Sequence, residues 1–119
     1  MERIDFKSNW NGKLALEIFP TVRIPGKKYN LEQSYEIFLN DKFIGIAKLI
    51  HCTRTTLEKV TEGMALIDTG YSRAKFIGLV NKMYPQYIAE HGNSAIFGMF
   101  FFQWISRDNS KLPELKKIG

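Results

Sequence analysis

The alternation of apolar and polar positions is clearest between Ser34 and Asn40, where Tyr35, Ile37 and Leu39 share one face. A period of two is that of a half-buried strand. Asn40-Asp41 follows as a tight turn, and Phe43 to Cys52 reads as the returning strand of a hairpin. Within that strand Gly45 and Ala47 mark a bend or a close backbone approach. Earlier in the chain, Thr21 to Ile24 has strand character after Pro20, and Pro25-Gly26 signals a turn made basic by Lys27 and Lys28. Phe6, Trp10 and Leu14 recur every four residues, which predicts a short helix weakened at Asn11-Gly12.

Beyond the hairpin the period lengthens. Thr55-Thr56-Leu57-Glu58 matches a capping box, in which Thr55 and Glu58 satisfy each other's free backbone N–H groups at a helix start. A second helix is expected from a Ser72 cap to Tyr84, with Phe76, Val80 and Met83 buried, Lys75 and Lys82 outward, and Pro85 as its stop. The segment between them, Thr61 to Ser72, has room for a helical turn ended by Gly70. Ile96 to Ile105 is apolar on both faces, so it is expected to be a central strand, with Phe100, Phe102 and Trp104 as a core stripe. After Ser106 the chain becomes Lys-rich, and a charged, fraying tail is expected from about residue 107. The pattern is that of one α+β domain spanning residues 1–119, built on a curved, mostly antiparallel sheet with short flanking helices.

Composition narrows the chemistry. Nine Phe, five Tyr and two Trp are many for 119 residues and supply one aromatic-rich core. No apolar run approaches the ~20 residues of a membrane-spanning helix, and Met1 to Asp5 lacks the apolar stretch of a signal peptide, so a cytoplasmic protein with no membrane partner is expected. The single cysteine, Cys52, excludes an intrachain disulfide and reads as a small core residue. His51 beside it on a strand points to the other face, which leaves the thiol without a base. His51 and His91 are far apart and no CxxC or HxxxH spacing exists, so neither a metal site nor a cofactor is expected.

Seventeen Lys and Arg against twelve Asp and Glu leave a formal charge of +5, which favours a polyanionic partner. The run Phe19-Pro20-Thr21-Val22-Arg23-Ile24, the strands Tyr29 to Asn40 and Ile44 to Ile50, and Gly70-Tyr71-Ser72 together resemble the ASCH family of the PUA-like β-barrel superfamily. The resemblance implies a PUA-like pseudo-β-barrel with a polar cleft, RNA binding as a common activity, and in some members cleavage of RNA or amide hydrolysis on a modified nucleoside. The family's signature is a Gly, a Lys two positions on, a Glu or Thr three further and an Arg two further. Anchored on Arg23, it places Thr21 correctly, but its Lys falls on Ile18 and its Gly on Leu16. Gly12-Lys13 supplies the right types five residues earlier, and a loop would restore Lys13 to the site.

The resemblance thus implies a candidate catalytic set of Lys13, Thr21 and an acid, either Glu62 or Asp68, of which Glu62 is taken as the candidate. Arg23 carries the strongest binding argument, because its planar fork can hold a phosphate or carboxylate through two parallel hydrogen bonds. Lys27, Lys28, Lys48, Arg54 and Arg73, with Lys75, are expected to form a basic rim, and Tyr29 and Tyr71 are candidates to stack on exposed bases. Three function classes follow: an RNA- or nucleotide-binding module, first; a small hydrolase of a modified nucleoside or RNA; and a non-enzymatic interaction domain, including a homodimer through an exposed sheet edge.

Overall fold

A computed structural model describes residues 1–24, 26, 28–69 and 72–111. The fold is mixed α+β: five strands form one curled half-barrel sheet, flanked by short helices. The strands are β1 (Arg3–Phe6), β2 (Ile18–Arg23), β3 (Ser34–Leu39), β4 (Lys42–Thr56) and β5 (Ile96–Arg107), in the order β1-β3-β4-β5-β2. Only β1 and β3 run parallel; every other pairing is antiparallel. Helices α1 (Glu62–Thr69), α2 (Arg73–Met83) and α3 (Pro85–His91) lie in the β4–β5 connection, and a 3₁₀ turn (Trp10–Ala15) separates β1 from β2.

The hairpin forms where the alternation places it. Asn40 and Asp41 have φ of 50° and 64°, the left-handed pair of a type I′ turn, whose twist matches that of the flanking strands. Tyr35, Ile37, Ile44, Ala47 and Leu49 are buried on the face that the pattern marks. Irregularities at Ile37/Phe38, Ile46/Ala47 and Leu49/His51 bend the ladder, as extra residues in one strand do. One core cluster fills the curl, with Phe19 stacked on Phe102 at 5.6 Å and tilted against Trp104 at 5.0 Å. A second gathers Leu57, Val60, Ala65, Phe76, Val80, Ile88 and Phe97 where the helices pack.

Several local expectations give way to longer-range pairing. Phe6 closes β1 instead of opening a helix, although it and Leu14 share the first core cluster. Thr55 and Thr56 belong to β4, paired with Phe97 and Ile96, so the capping box does not form and Thr56 makes no side-chain cap bond. The Thr61 hydroxyl accepts the Met64 N–H at 3.1 Å near the start of α1. Cys52 is exposed, as is His51: the pairing of β3 with β4 ends at Lys48, and among the described residues no strand pairs β4 on that side beyond Leu49. β5 is flanked by two strands, yet Ile96 and Ile105 are exposed, so it is covered on one face only. β5 runs through Arg107, and a 3₁₀ turn (Asn109–Lys111) follows it.

Ser72 does cap α2, its hydroxyl accepting the Lys75 N–H at 3.3 Å. The Arg73 N–H is satisfied separately by the Glu62 carboxylate at 2.9 Å. Ser72→Ala is expected to lower stability by about 1 kcal/mol, read as a fall in melting temperature; a gain would mean the cap is not used. Pro85 ends α2 and also opens α3, since a proline at the first helical position forfeits no bond. The Tyr87 hydroxyl ties α3 to β5 through the Ile96 carbonyl and N–H at 2.8 and 2.9 Å.

The sheet edges are β1 and β2. β1 is four residues long and β2 carries Pro20, both features that blunt pairing with another chain. No helix among the described residues is long and apolar enough to cross a membrane.

Candidate functional site

The seam between β1 and β2 opens into a cleft of about 680 Å³. β1 and the residues after it contribute Asp5, Phe6, Lys7 and Ser8; the 3₁₀ turn contributes Lys13; β2 contributes Thr21, Val22 and Arg23. The opposite wall is α2, through Phe76, Leu79, Val80, Lys82 and Met83, with Tyr84 and Phe97 beside it. Lys13, Thr21 and Arg23 therefore line one cavity, while Ile18, which occupies the signature's Lys position, is exposed and does not line it. The turn accounts for the five-residue offset: Gly12 has φ of 66°, which an L side chain rarely adopts, and the Asn9 side chain accepts the Leu14 N–H at 2.8 Å.

On β2, Phe19, Thr21 and Arg23 follow one another on the strand's period of two, from the core toward the rim. Thr21 is 5% exposed and Lys13 only 3%. An ammonium held that deep needs partners; one is the face of Phe6, whose ring centre lies 5.4 Å from Lys13 Nζ. The same ring lies 4.9 Å from Arg23 Cζ, so Phe6 is a platform shared by both cations. Arg23 Nε donates to the Thr21 hydroxyl at 3.3 Å, and Arg23 Nη2 donates to the Asp5 carbonyl at 3.2 Å, bridging the two sheet edges.

The lining is cationic at one end and apolar along one wall. Lys7, Lys13, Arg23 and Lys82 line it, and among the described residues Asp5 is the acidic one in the lining, its carboxylate engaged by Arg3 Nε at 3.0 Å. That hydrogen bond and its charge raise the Arg3 guanidinium above its ordinary pKa. Tyr29 lies nearby, edge-on to Phe100 at 4.8 Å; burial pushes its phenol up, against the pull of the Arg23 cation. Tyr29 is thus packed against the first core cluster and is not among the cleft residues.

The remaining candidates are placed elsewhere. The Glu62 carboxylate accepts the Arg73 N–H near the start of α2 and does not line the cleft. Arg73 donates to the carbonyls of Val60, Leu57 and Glu58 at 2.7, 3.2 and 3.3 Å, which ties α2 to the segment after β4. Lys48 pairs with Glu32 at 3.3 Å. Lys28 and Arg54 are exposed. None of Lys28, Lys48, Arg54 and Arg73 lines the cleft: Lys48 and Arg54 lie on β4, in the middle of the sheet, and Arg73 opens α2, whose later turns form the cleft wall. Lys27, Tyr71 and the side chain of Asp68 lie outside the described residues. No group of three or more His, Cys, Asp or Glu residues that could hold a metal ion occurs among the described residues.

Sequence reasoning missed Asp5, Phe6, Lys7 and the contribution of α2. The only available signal was that Phe6 and Lys13 are near in sequence. Lys82, read as outward, and Met83, read as buried, both stand at the cleft, Met83 with 52% of its surface exposed.

No family model matches the chain, and no curated protein matches it. Among solved structures it is similar to the crystal structure of protein EF3133 from Enterococcus faecalis, described under the family model DUF984. The two share 11% sequence identity at a TM-score of 0.71, over 93% of this chain and 80% of that one. At that identity the likeness is one of fold.

Proposed function

We propose that the chain is a binding module for a nucleotide-like anion, whether a free nucleotide or one nucleotide unit of single-stranded RNA. The observation that carries the reading is the convergence of Arg23, Lys13 and Thr21 at the cationic end of an apolar-walled cleft. Arg23 supplies the fork for a phosphate and Lys13 a second positive charge. Val22, Leu79 and Met83, which keep accessible surface in the lining, offer apolar contact to a base. A volume of about 680 Å³ suits one small ligand and not a long strand. The resemblance to the ASCH family supports the same reading, since its PUA-like relatives commonly bind RNA.

The test is a calorimetric titration of the full chain with adenosine monophosphate and with a short single-stranded RNA, at low and at moderate ionic strength. Each phosphate held steepens the fall of log affinity with log salt by about 0.7 for a single strand. For the RNA a slope worth one or two phosphates is expected. A much steeper slope for RNA alone would replace the cleft with an extended basic track. No binding of either ligand at low salt would overturn the reading.

One observation favours a second reading, hydrolysis of a modified nucleoside or of RNA: Lys13 and Thr21 are both buried in the one cleft. Among the described residues the acid lining that cleft is Asp5, and Glu62 serves α2 instead. Chromatography of the same titration mixtures separates binding from turnover.

A further inference from the structure

Lys13 sits on a 3₁₀ turn of six residues. So short a turn does not hold its own shape. Besides the Asn9 side chain, which accepts the Leu14 N–H, what holds it comes from the far end of β5. Arg107 Nη1 donates to three successive carbonyls at the end of the turn, Leu14 at 3.4 Å, Ala15 at 3.0 Å and Leu16 at 3.3 Å. Trp104 Nε1 donates to the same Leu14 carbonyl at 3.2 Å in a buried bond. The guanidinium lies 5.7 Å from the Trp104 ring centre, so the two donors brace each other. These carbonyls belong to the end of the turn that its own N–H groups cannot satisfy. A cation there also meets the negative end of the turn's dipole.

The Arg107 Nε is buried with no hydrogen-bond partner. The side chain therefore accepts desolvation at one nitrogen in order to place another on the turn. A lysine could not reproduce this, since its ammonium is a point charge on a flexible stem.

We infer that Arg107, with Trp104, is the positioning residue for Lys13: it clamps the turn that delivers the buried ammonium to the cleft. This rests on the proposal that Lys13 contacts the ligand. Arg107 itself lines no part of that cleft, so its effect on binding must pass through Lys13.

The experiment compares R107A, R107K, K13M and the double variant R107A/K13M. Adenosine monophosphate affinity, the NMR resonances of the Lys13 side-chain methylene next to Nζ, and melting temperature are measured on each. Losing one charge-assisted contact weakens binding roughly 10- to 150-fold. R107A is expected to lose about as much as K13M, R107K to recover part of the loss, and the double variant to lose no more than K13M alone. R107A should also move the Lys13 resonances.

Losses that simply multiply in the double variant, or a lower melting temperature with unchanged affinity and unmoved Lys13 resonances, would overturn the inference and leave Arg107 a scaffold residue. If wild-type protein fails to bind the nucleotide, the proposed function falls, and the Lys13 resonances alone decide the clamp. Should R107A not fold, Trp104→Phe removes the indole N–H bond to Leu14, together with part of the ring's packing on Phe19, and reads the same resonances. A Lys13 signal unmoved by that change would reject Trp104 as part of the clamp.

Discussion

Gly45→Ala is expected to lower the unfolding free energy by about 2–5 kcal/mol, adding backbone strain to overpacking. Gly45 has φ of 154°, a conformation that L side chains rarely adopt. A Cβ placed there would clash with the Ser106 carbonyl oxygen and stand 2.9 Å from both Arg107 Cα and Trp104 Cζ3. Two of these three obstacles are backbone atoms of β5, and the third belongs to a buried indole, so no flexible side-chain end can move aside. The neighbouring irregularity at Ile46/Ala47 already bends β4 against β5. Urea unfolding of the variant measures the loss. A change below about 0.5 kcal/mol, the usual size at an unremarkable surface position, would mean that the end of β5 yields freely. The same displacement would shift Arg107 and Trp104, the residues that hold the Lys13 turn.

Arg23→Ala is expected to weaken binding of a nucleotide-like anion by roughly 10- to 150-fold, or about 1.5–3 kcal/mol. The sequence alone suggests an exposed strand position whose loss leaves the fold untouched. The structure makes the residue half-buried and gives it structural contacts as well. It reaches the Asp5 carbonyl across the seam, the Thr21 hydroxyl on its own strand and the Phe6 ring below. A stability loss of about 1–2 kcal/mol should therefore accompany the binding loss. Arg23→Lys should recover part of both, because it restores the charge without the fork. The paired measurement is a melting curve and a ligand titration on the same variants. Unchanged affinity in Arg23→Ala would remove the residue from the site and assign it to the seam alone.

Signals that act within a few residues are legible in this sequence. The alternation from Tyr35 to Leu39, the left-handed pair Asn40-Asp41, the Ser72 cap and the close approach at Gly45 all reappear in the structure. Each depends on backbone sterics or on a side chain bonding its own neighbourhood, so the local residues carry the whole cause. The α+β class follows from the same periodicities.

Where two parts of the chain compete for one segment, local signals are not enough. Thr55 and Glu58 match a capping box, but backbone pairing with β5 claims Thr55 and Thr56 for the sheet. Cys52 lies in an apolar run, but the strand that would cover it pairs only as far as Lys48. Pro85 stops one helix by the same missing N–H that suits it to begin the next.

The cleft belongs almost wholly to tertiary structure. Its residue types are present in the sequence, as Lys13, Thr21 and Arg23, but the spacing places Ile18 where the Lys is expected. Lys13 reaches the cavity on a turn braced from about ninety residues away by Arg107 and Trp104. Its facing wall is a helix whose packing no local pattern specifies. The sequence by itself determined which side chains were available and the local elements that carry them. The curl of the sheet decided which of them meet, because it closes the β1–β2 seam around Phe6 and leaves Lys48 and Arg54 on β4, away from it.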